Sequence, residues 1–321
     1  MSTILYIAPF FERSAIAESA LAYVKALSSE YGIVCRPIGQ IQNKHNQIDN
    51  YLKNDKCDYL VIHSKPSDFG FFGQFKKCVG ITHLKTNLIG ETNYYKYFDI
   101  MDFVGHDSSF GVPEVGNIQP VFDTSEYEPK KNSNIGYKFL IVGEPNCFEE
   151  IYQAINAYTE EFRLEENVDL TIKLPYYYNI APFREIISNL ISETRKHSNN
   201  FCPPIHFNNA WFPRKALLNY YNDFDCIINC SLYNRWSRPF IDCGFLQKRC
   251  ISLLDGNDIK GKLSYGLSDS KEYPRGETKS FSTKEIQKML RNAFNSQKEA
   301  VYDLSVFTLP QALSNFRKIF T

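Results

Sequence analysis

The residues best equipped for chemistry lie in one stretch, Ser231 to Ser252, which reads SLYNRWSRPFIDCGFLQKRCIS. It follows an apolar run ending at Cys230, passes through a turn and meets Pro239 near a helix start, where proline is favoured. A loop that leaves the carboxyl end of a parallel strand and enters a helix offers unpaired backbone N–H groups to an anion, and open α/β sheets bind their ligands there. Arg235 and Arg238 add two guanidinium groups whose planar donors match a diphosphate. Asn234 and Asp242 stand eight residues apart in the same stretch. On these residues alone, a surface loop with solvated arginines competes evenly with an anion site.

Other reactive side chains sort by their surroundings. His63, His83 and His106 each close an apolar run, the usual setting of a hydrogen-bonded structural histidine, whereas His45 and His197 lie in polar stretches and read as exposed. Asp223 and Asp225 form a D-x-D in the turn before an apolar run, with no second acidic cluster beside them, so a metal role is the weaker reading. Tyr176 to Tyr178 follow a strand end, where they could line a cleft or stack on a base, although packing is the commoner use of aromatic clusters. The nine cysteines are odd in number, form no C-x-x-C pair and sit mostly in apolar runs; they read as buried reduced thiols rather than a disulfide framework or a zinc site. No motif places the paired carboxylates, about 5 to 10 Å apart, on which hydrolytic glycosidases depend.

The elements that must position these residues alternate regularly. Apolar runs at Ile4–Ala8, Ile33–Ile38, Tyr59–Ile62, Val79–Thr82 and Phe103–Gly105 read as strands, with a helix over Ala15–Ser28. A polar segment, Glu126 to Asn134, reads as an exposed linker. A second series follows. Its strands are expected at 138–142, 168–174, 205–207, 226–231 and 249–254, and its helices at 148–162, 183–196, 214–221 and 239–245, with closing helices at 283–295 and 309–320. Strands alternating with helices predict parallel sheets covered by helices. At 321 residues the chain exceeds the usual reach of one core. The expectation is an α/β protein of two Rossmann-like domains with parallel sheets facing an interdomain cleft: 1–130, 131–300, and a C-terminal helix within 301–321 that returns toward the first domain.

Composition limits the partners. Lys plus Arg and Asp plus Glu number 36 each, so no net field draws the chain to nucleic acid or an anionic membrane. No apolar stretch approaches the ~20 residues of a membrane span, and the N-terminus lacks a basic region before its apolar run. The expectation is a cytoplasmic protein.

The 231–252 stretch resembles the signature of the retaining glycosyltransferases of the sucrose synthase, glycogen synthase and bacterial sugar transferase type. That signature runs roughly S-x-x-E-G-F-G-L-P-x-x-E-A-x-A-C-G-x-P-V. With Pro239 aligned, Asn234 takes the place of the first Glu and Asp242 the second. The resemblance extends more weakly to ILYIAPFFERSAIAE, CDYLVIHS, VGITHLKTN, residues 98–129 and KFLIVGE. It implies a GT-B fold and transfer from a nucleotide sugar, UDP- or GDP-linked with UDP-glucose as the default, without a metal. Asn234 and His83 would then meet the donor sugar, and Trp236 and Ser237 would lie among the backbone amides that hold sugar and phosphate. Asp242 would bind the ribose hydroxyls, and the base would lie near Phe207 to Trp211.

Departures from the pattern carry information too. Ser14 and Ala15 replace the Gly-Gly of the first loop, and Glu144, Pro145, Asn146 and Cys147 stand where the family has an Arg and a Lys. Because developing phosphate charge needs compensation, Arg235 and Arg238, with Arg13 or Lys173, are the candidate substitutes. The acceptor is open among polysaccharide, protein, lipid-linked sugar and a hydroxymethylated DNA base. The last would require a basic groove including Lys76, Lys77 and Lys85. A non-catalytic nucleotide-sugar-binding module and a two-domain epimerase are the competing readings.

Overall fold

A computed structural model describes residues 1–12, 14–39, 46–51, 56–64, 68–69, 73–81, 102–105, 114–117, 121–131, 135–143, 148–174, 181–198, 202–230, 238–252, 282–296 and 304–320. The chain divides into two compact units. One comprises Met1–Thr124, Tyr233–Trp236 and Leu304–Thr321, the other Ser125–Leu232 and Ser237–Asp303.

The first unit is built on a six-stranded sheet of β1 (Thr3–Ala8), β2 (Gly32–Pro37), β3 (Tyr59–His63), β4 (Lys77–Ile81), β5 (Asp102–Gly105) and β6 (Glu114–Asn117). Its order is β2-β1-β3-β4-β5-β6, parallel at every pairing. The short β6, EVGN, has too little apolar character to announce itself as a strand in the sequence. Helix α1 (Ala15–Leu27) begins at Ser14, whose hydroxyl accepts the Ala17 N–H at 3.2 Å. A serine cap thus stands where the resembled pattern has glycine. The closing helix of the chain, Leu309–Phe320, packs its Ala312, Phe316 and Ile319 against Ala20, Tyr23 and Leu27 of α1 in one core.

The second unit holds a five-stranded sheet of β7 (Tyr137–Val142), β8 (Val168–Lys173), β9 (Ile205–Asn208), β10 (Cys226–Asn229) and β11 (Arg249–Ser252). Its helices are α2 (Phe148–Glu161), α3 (Ala181–Ser198), α4 (Arg214–Asn222), α5 (Arg238–Phe245) and α6 (Thr283–Asn295), and Leu309–Phe320 is α7. All pairings in the sheet are parallel, in the order β11-β10-β7-β8-β9. Alternate strand residues Phe139, Ile141, Leu170, Ile172, Cys226 and Ile228 point to one face, where α2 and α6 supply Ile151, Ile155, Tyr158, Ile286 and Leu290. Side chains alternate across a strand, so their neighbours turn to the face where α5 packs on β10 and β11. At the end of β7, a Cβ on Gly143 would come within 2.7 Å of Ile151 Cδ1, so the glycine lets α2 approach the strand end closely.

The segment expected to be a plain exposed linker is anchored to the second unit. Asn222 Nδ2 donates to the Glu128 carbonyl at 2.9 Å, and Lys248 Nζ donates to the carbonyls of Lys130 and Asn222 at 2.8 Å each. Residues 128–131 are exposed, yet Tyr127 is buried. None of the described cysteines forms a disulfide, and most of them are buried.

Helix α5 ends in a Schellman motif, with Lys248 N–H on the Cys243 carbonyl at 2.9 Å and Gln247 N–H on Gly244 at 3.0 Å. Gln247 occupies the left-handed region at φ 56. The resembled pattern carries glycine there, and a side chain in that conformation costs about 1 kcal/mol. Gln247→Gly is therefore expected to stabilise the chain, raising the thermal midpoint by about 2 °C. Calorimetry of the two proteins checks this, and a lower midpoint contradicts it.

Candidate functional site

In the second sheet β7 is central, β8 and β9 lie to one side, and β10 and β11 to the other. The chain's direction of winding reverses between β7 and β10. At such a reversal the connections leave in opposite directions and open a crevice at the carboxyl ends of the strands. The residues there are in register: Asn229 pairs with Val142, Val142 with Lys173, and Lys173 with Asn208. This row turns away from the apolar core on α2 and α6. Three of its four members are polar.

Lys173 is the charged member. Its side chain is largely buried, with the whole residue 9% exposed. The Nζ donates to the Leu174 carbonyl at 2.8 Å and lies 5.7 Å from the centroid of the Phe212 ring. That ring stacks on Tyr220 at 4.8 Å, and Tyr220 is hydrogen-bonded to Asn208. No carboxylate pairs with Lys173 among the described residues, and burial pushes its ammonium down to about 8. Strand spacing of about 5 Å puts it one strand from Val142 and two from Asn229. Buried charges are ordinarily paired, and among the described residues this ammonium, at a strand's carboxyl end, has no carboxylate partner.

Helix α5 starts at Arg238, after the connection that leaves β10 at the reversal. Asp242, one turn along, has no exposed surface. Arg214, the first residue of α4, grips it with both terminal nitrogens: Nη1 to Oδ2 at 2.7 Å and Nη2 to Oδ1 at 2.6 Å. The Tyr127 hydroxyl donates to Oδ1 at 2.7 Å, and Arg238 Nε reaches Oδ1 at 3.3 Å. Arg214 also lies over the Tyr127 ring at 5.3 Å and is 3.6 Å from Glu126. Burial works to raise the Asp242 pKa. The charges of Arg214 and Arg238, then hydrogen bonds from Arg214 and Tyr127, outweigh burial and hold the carboxyl below its usual range.

Of the residues singled out in the sequence, Arg238 and Asp242 touch, and Lys173 belongs to the carboxyl-edge row of the same unit. Phe207 does not join them. One position before Asn208 on β9, it turns to the opposite face and packs against the core on α2, with Arg184 over its ring at 5.8 Å. Trp211 remains partly exposed in the segment before α4. Arg13, His83, Asn234, Arg235, Trp236 and Ser237 lie outside the described residues, as do His45, His106, Lys85 and Tyr176 to Tyr178.

Arg214 and Tyr127 were not anticipated. For Arg214 a signal existed: an acid flanked by Phe240, Ile241 and Cys243 must be buried, and a buried carboxylate needs a cation. Nothing in the linker's composition marks Tyr127.

The remaining candidates have structural duties. His63 is fully buried, its Nδ1 at 2.8 Å from the Tyr6 hydroxyl and its ring 5.3 Å from that of Tyr23. Asp225 accepts the Lys138 N–H at 2.8 Å, and Asp223 caps the C-terminus of α4. Among the described residues no group of three or more His, Cys, Asp or Glu is placed to hold a metal ion, and no helix is long and apolar enough to cross a membrane.

Two α/β units, each on its own parallel sheet with a reversal in strand order, match the GT-B fold. The chain is similar to a glycosyltransferase from Rickettsia africae, with 12% identity and a TM-score of 0.55 over 99% of this chain and 97% of that one. It is similar also to an E. coli trehalose-6-phosphate protein bound with UDP-2-fluoro glucose, with 10% identity and a TM-score of 0.55 over 99% and 94% of the two chains. A variant of S. aureus TarM in complex with fondaparinux, alpha-GlcNAc-glycerol and UDP gives 12% identity and a TM-score of 0.50 over 82% of this chain. This chain spans about half of TarM, 52% of its length. At such identities the likeness is one of fold. No protein-family model matches the sequence, and no curated protein matches it.

Lys173 gives the row a measurable signature. Its folded-state pKa lies below the ordinary lysine value, so the unfolded chain holds the proton more tightly and folding releases it. The Lys173 contribution to stability therefore climbs as pH rises from about 8 toward about 10.4. Lys173→Met is expected to be more stable than the parent at pH 7 and to lose that advantage by pH 10.5. Denaturant midpoints of both proteins across this range check it; parallel curves contradict it.

Proposed function

We propose that the chain is a glycosyltransferase that moves a sugar from a UDP- or GDP-linked donor, UDP-glucose first among them, to an acceptor hydroxyl with retention of anomeric configuration. The observation that carries the reading is the buried Lys173, with no carboxylate partner among the described residues, in the polar row beside the β7/β10 reversal. A diphosphate supplies an anion for this row. The fold likeness supports the reading, and two of the similar structures contain UDP or a UDP-sugar analogue.

In this reading the bond between the anomeric carbon and the donor phosphate breaks, the acceptor oxygen bonds to that carbon, and the acceptor proton passes to the departing phosphate oxygen. The nucleoside diphosphate leaves. The protein's share is positioning and charge stabilisation rather than a base of its own. Lys173 and Arg238 offset the growing phosphate charge, with Arg235 and Arg13 as further cations. Backbone groups of Trp236 and Ser237 hold sugar and phosphate, and Asn234 and His83 address the donor sugar. No metal is assigned a role.

The acceptor belongs to the hydroxyl-bearing classes: a polysaccharide, a protein, a lipid-linked sugar or a modified DNA base. DNA is the least supported. Lys76 is paired with Asp58 at 2.7 Å and Lys77 donates to the Ile319 carbonyl at 2.5 Å, both at the amino edge of the first sheet. Two of the three lysines proposed for a basic groove are thereby engaged at the edge away from the strands' carboxyl ends. A cytoplasmic location is part of the same proposal.

The test incubates the purified chain with a panel of UDP- and GDP-sugars and follows free nucleotide. Release from at least one donor, accelerated by an added hydroxyl acceptor, is expected. Binding without release would point to a non-catalytic module, and interconversion of the sugar without release to an epimerase; either result overturns the reading. Lys173→Met is expected to weaken UDP binding about tenfold or more, the scale of one charged hydrogen bond in a buried site, measured by isothermal titration.

A further inference from the structure

Asp242 stands at the signature position whose acid would grip the ribose, yet its carboxylate has no exposed surface and both oxygens are spent on protein donors. A carboxylate that already accepts four hydrogen bonds, two of them a bidentate pair from Arg214, has little to offer a ribose hydroxyl. The ion pair is also unequal. Arg214 holds Asp242 through both terminal nitrogens at the start of α4, whereas Arg238 touches it only through Nε, at 3.3 Å. Arg238 is the first residue of α5, where the chain enters the helix from the reversal point. An Nε contact fixes the plane of the guanidinium without using its two terminal nitrogens for that bond.

We propose that Asp242 is a positioning residue: clamped by Arg214 and Tyr127, it orients Arg238, and Arg238 rather than Asp242 meets the nucleotide, at its diphosphate. The inference rests on the donor reading above and deepens it. Tyr127 extends the clamp to the linker. Its hydroxyl bonds both Asp242 Oδ1 and Arg214 Nη2, at 2.7 Å each, and its ring lies 4.6 Å from that of Phe245 on α5. The segment 125–131 and the start of α5 are therefore joined through one buried charge.

The clamp and a ribose contact differ in what they discriminate. If Asp242 read the ribose hydroxyls, the wild-type chain would prefer UDP to 2′-deoxy-UDP through it, and Asp242→Asn would erase that preference. Under the clamp, Asp242→Asn lowers affinity for UDP and 2′-deoxy-UDP by the same factor, about tenfold or more, and leaves their ratio unchanged. Arg238→Gln, which keeps the Asp242–Arg214–Tyr127 contacts, lowers both affinities by a similar factor. In the Arg238→Gln background, Asp242→Asn then adds less than about twofold, because the two act as a unit.

Titration calorimetry on the full chain reads all of these, with GDP and its 2′-deoxy form used if UDP binds more weakly. The single variant Arg238→Gln keeps the proposal testable should Asp242→Asn fail to fold. Unchanged UDP affinity in Arg238→Gln overturns it, as does a 2′-hydroxyl preference that vanishes with Asp242→Asn. Failure of the wild-type chain to bind either nucleotide removes the donor reading and the clamp's role together, whereas the other outcomes remove the clamp alone.

Discussion

The register of a parallel sheet is the constraint on which the rest depends. Every strand of the second unit runs the same way, so all five carboxyl ends arrive at one edge. The pairing aligns Asn229, Val142, Lys173 and Asn208 across it. Period-two alternation then separates two chemistries on the same strands. Phe139, Ile141, Leu170, Ile172 and Ile228 form a core with α2 and α6, and the residues between them face the other side. A slip of one residue in β8 would drive Lys173 into that core and Ile172 out of it, so the burial of the apolar face fixes the site's geometry. Gly143 matters for the same reason, because it lets α2 close on the strand end beside the reversal.

Burial of charge is the second theme, and it is handled in two ways. Lys173 keeps its ammonium in a largely buried place beside a carbonyl and an aromatic ring, and its affinity for a proton falls accordingly. Asp242 is buried more completely, but two guanidinium groups and a phenol hold it ionised. A buried ion pair stripped of one partner leaves an uncompensated charge, which is why such pairs are sensitive to substitution even where their net contribution is small. A cation with no carboxylate partner among the described residues suits reversible capture of an anion, and the saturated carboxylate suits holding neighbours in place.

Much of the fold was legible in the sequence. Strong local periodicity marked the strands and helices to within a few residues, and α6 and α7 begin and end where the apolar spacing puts them. Strand β6 was not legible, because an edge strand reading EVGN carries no apolar run. Sheet order was beyond reach as well, since pairing is set by contacts far apart along the chain. In the site, the i,i+4 relation of Arg238 and Asp242 was visible, but Arg214 lies 28 positions from Asp242 and Tyr127 lies 115 away. The direction of Phe207 followed from strand parity, which a one-residue uncertainty at the strand's end concealed.

The central claim is that the carboxyl-edge row of the second sheet takes up a nucleotide's diphosphate through Lys173. Isothermal titration of UDP at pH 8, repeated in buffers of different ionisation enthalpy, counts the protons taken up on binding. A phosphate beside the half-ionised ammonium should raise its pKa, so the account predicts net proton uptake for the wild-type chain and a clear reduction of that uptake in Lys173→Met. UDP binding with no proton uptake, or with the same uptake in Lys173→Met, would contradict it.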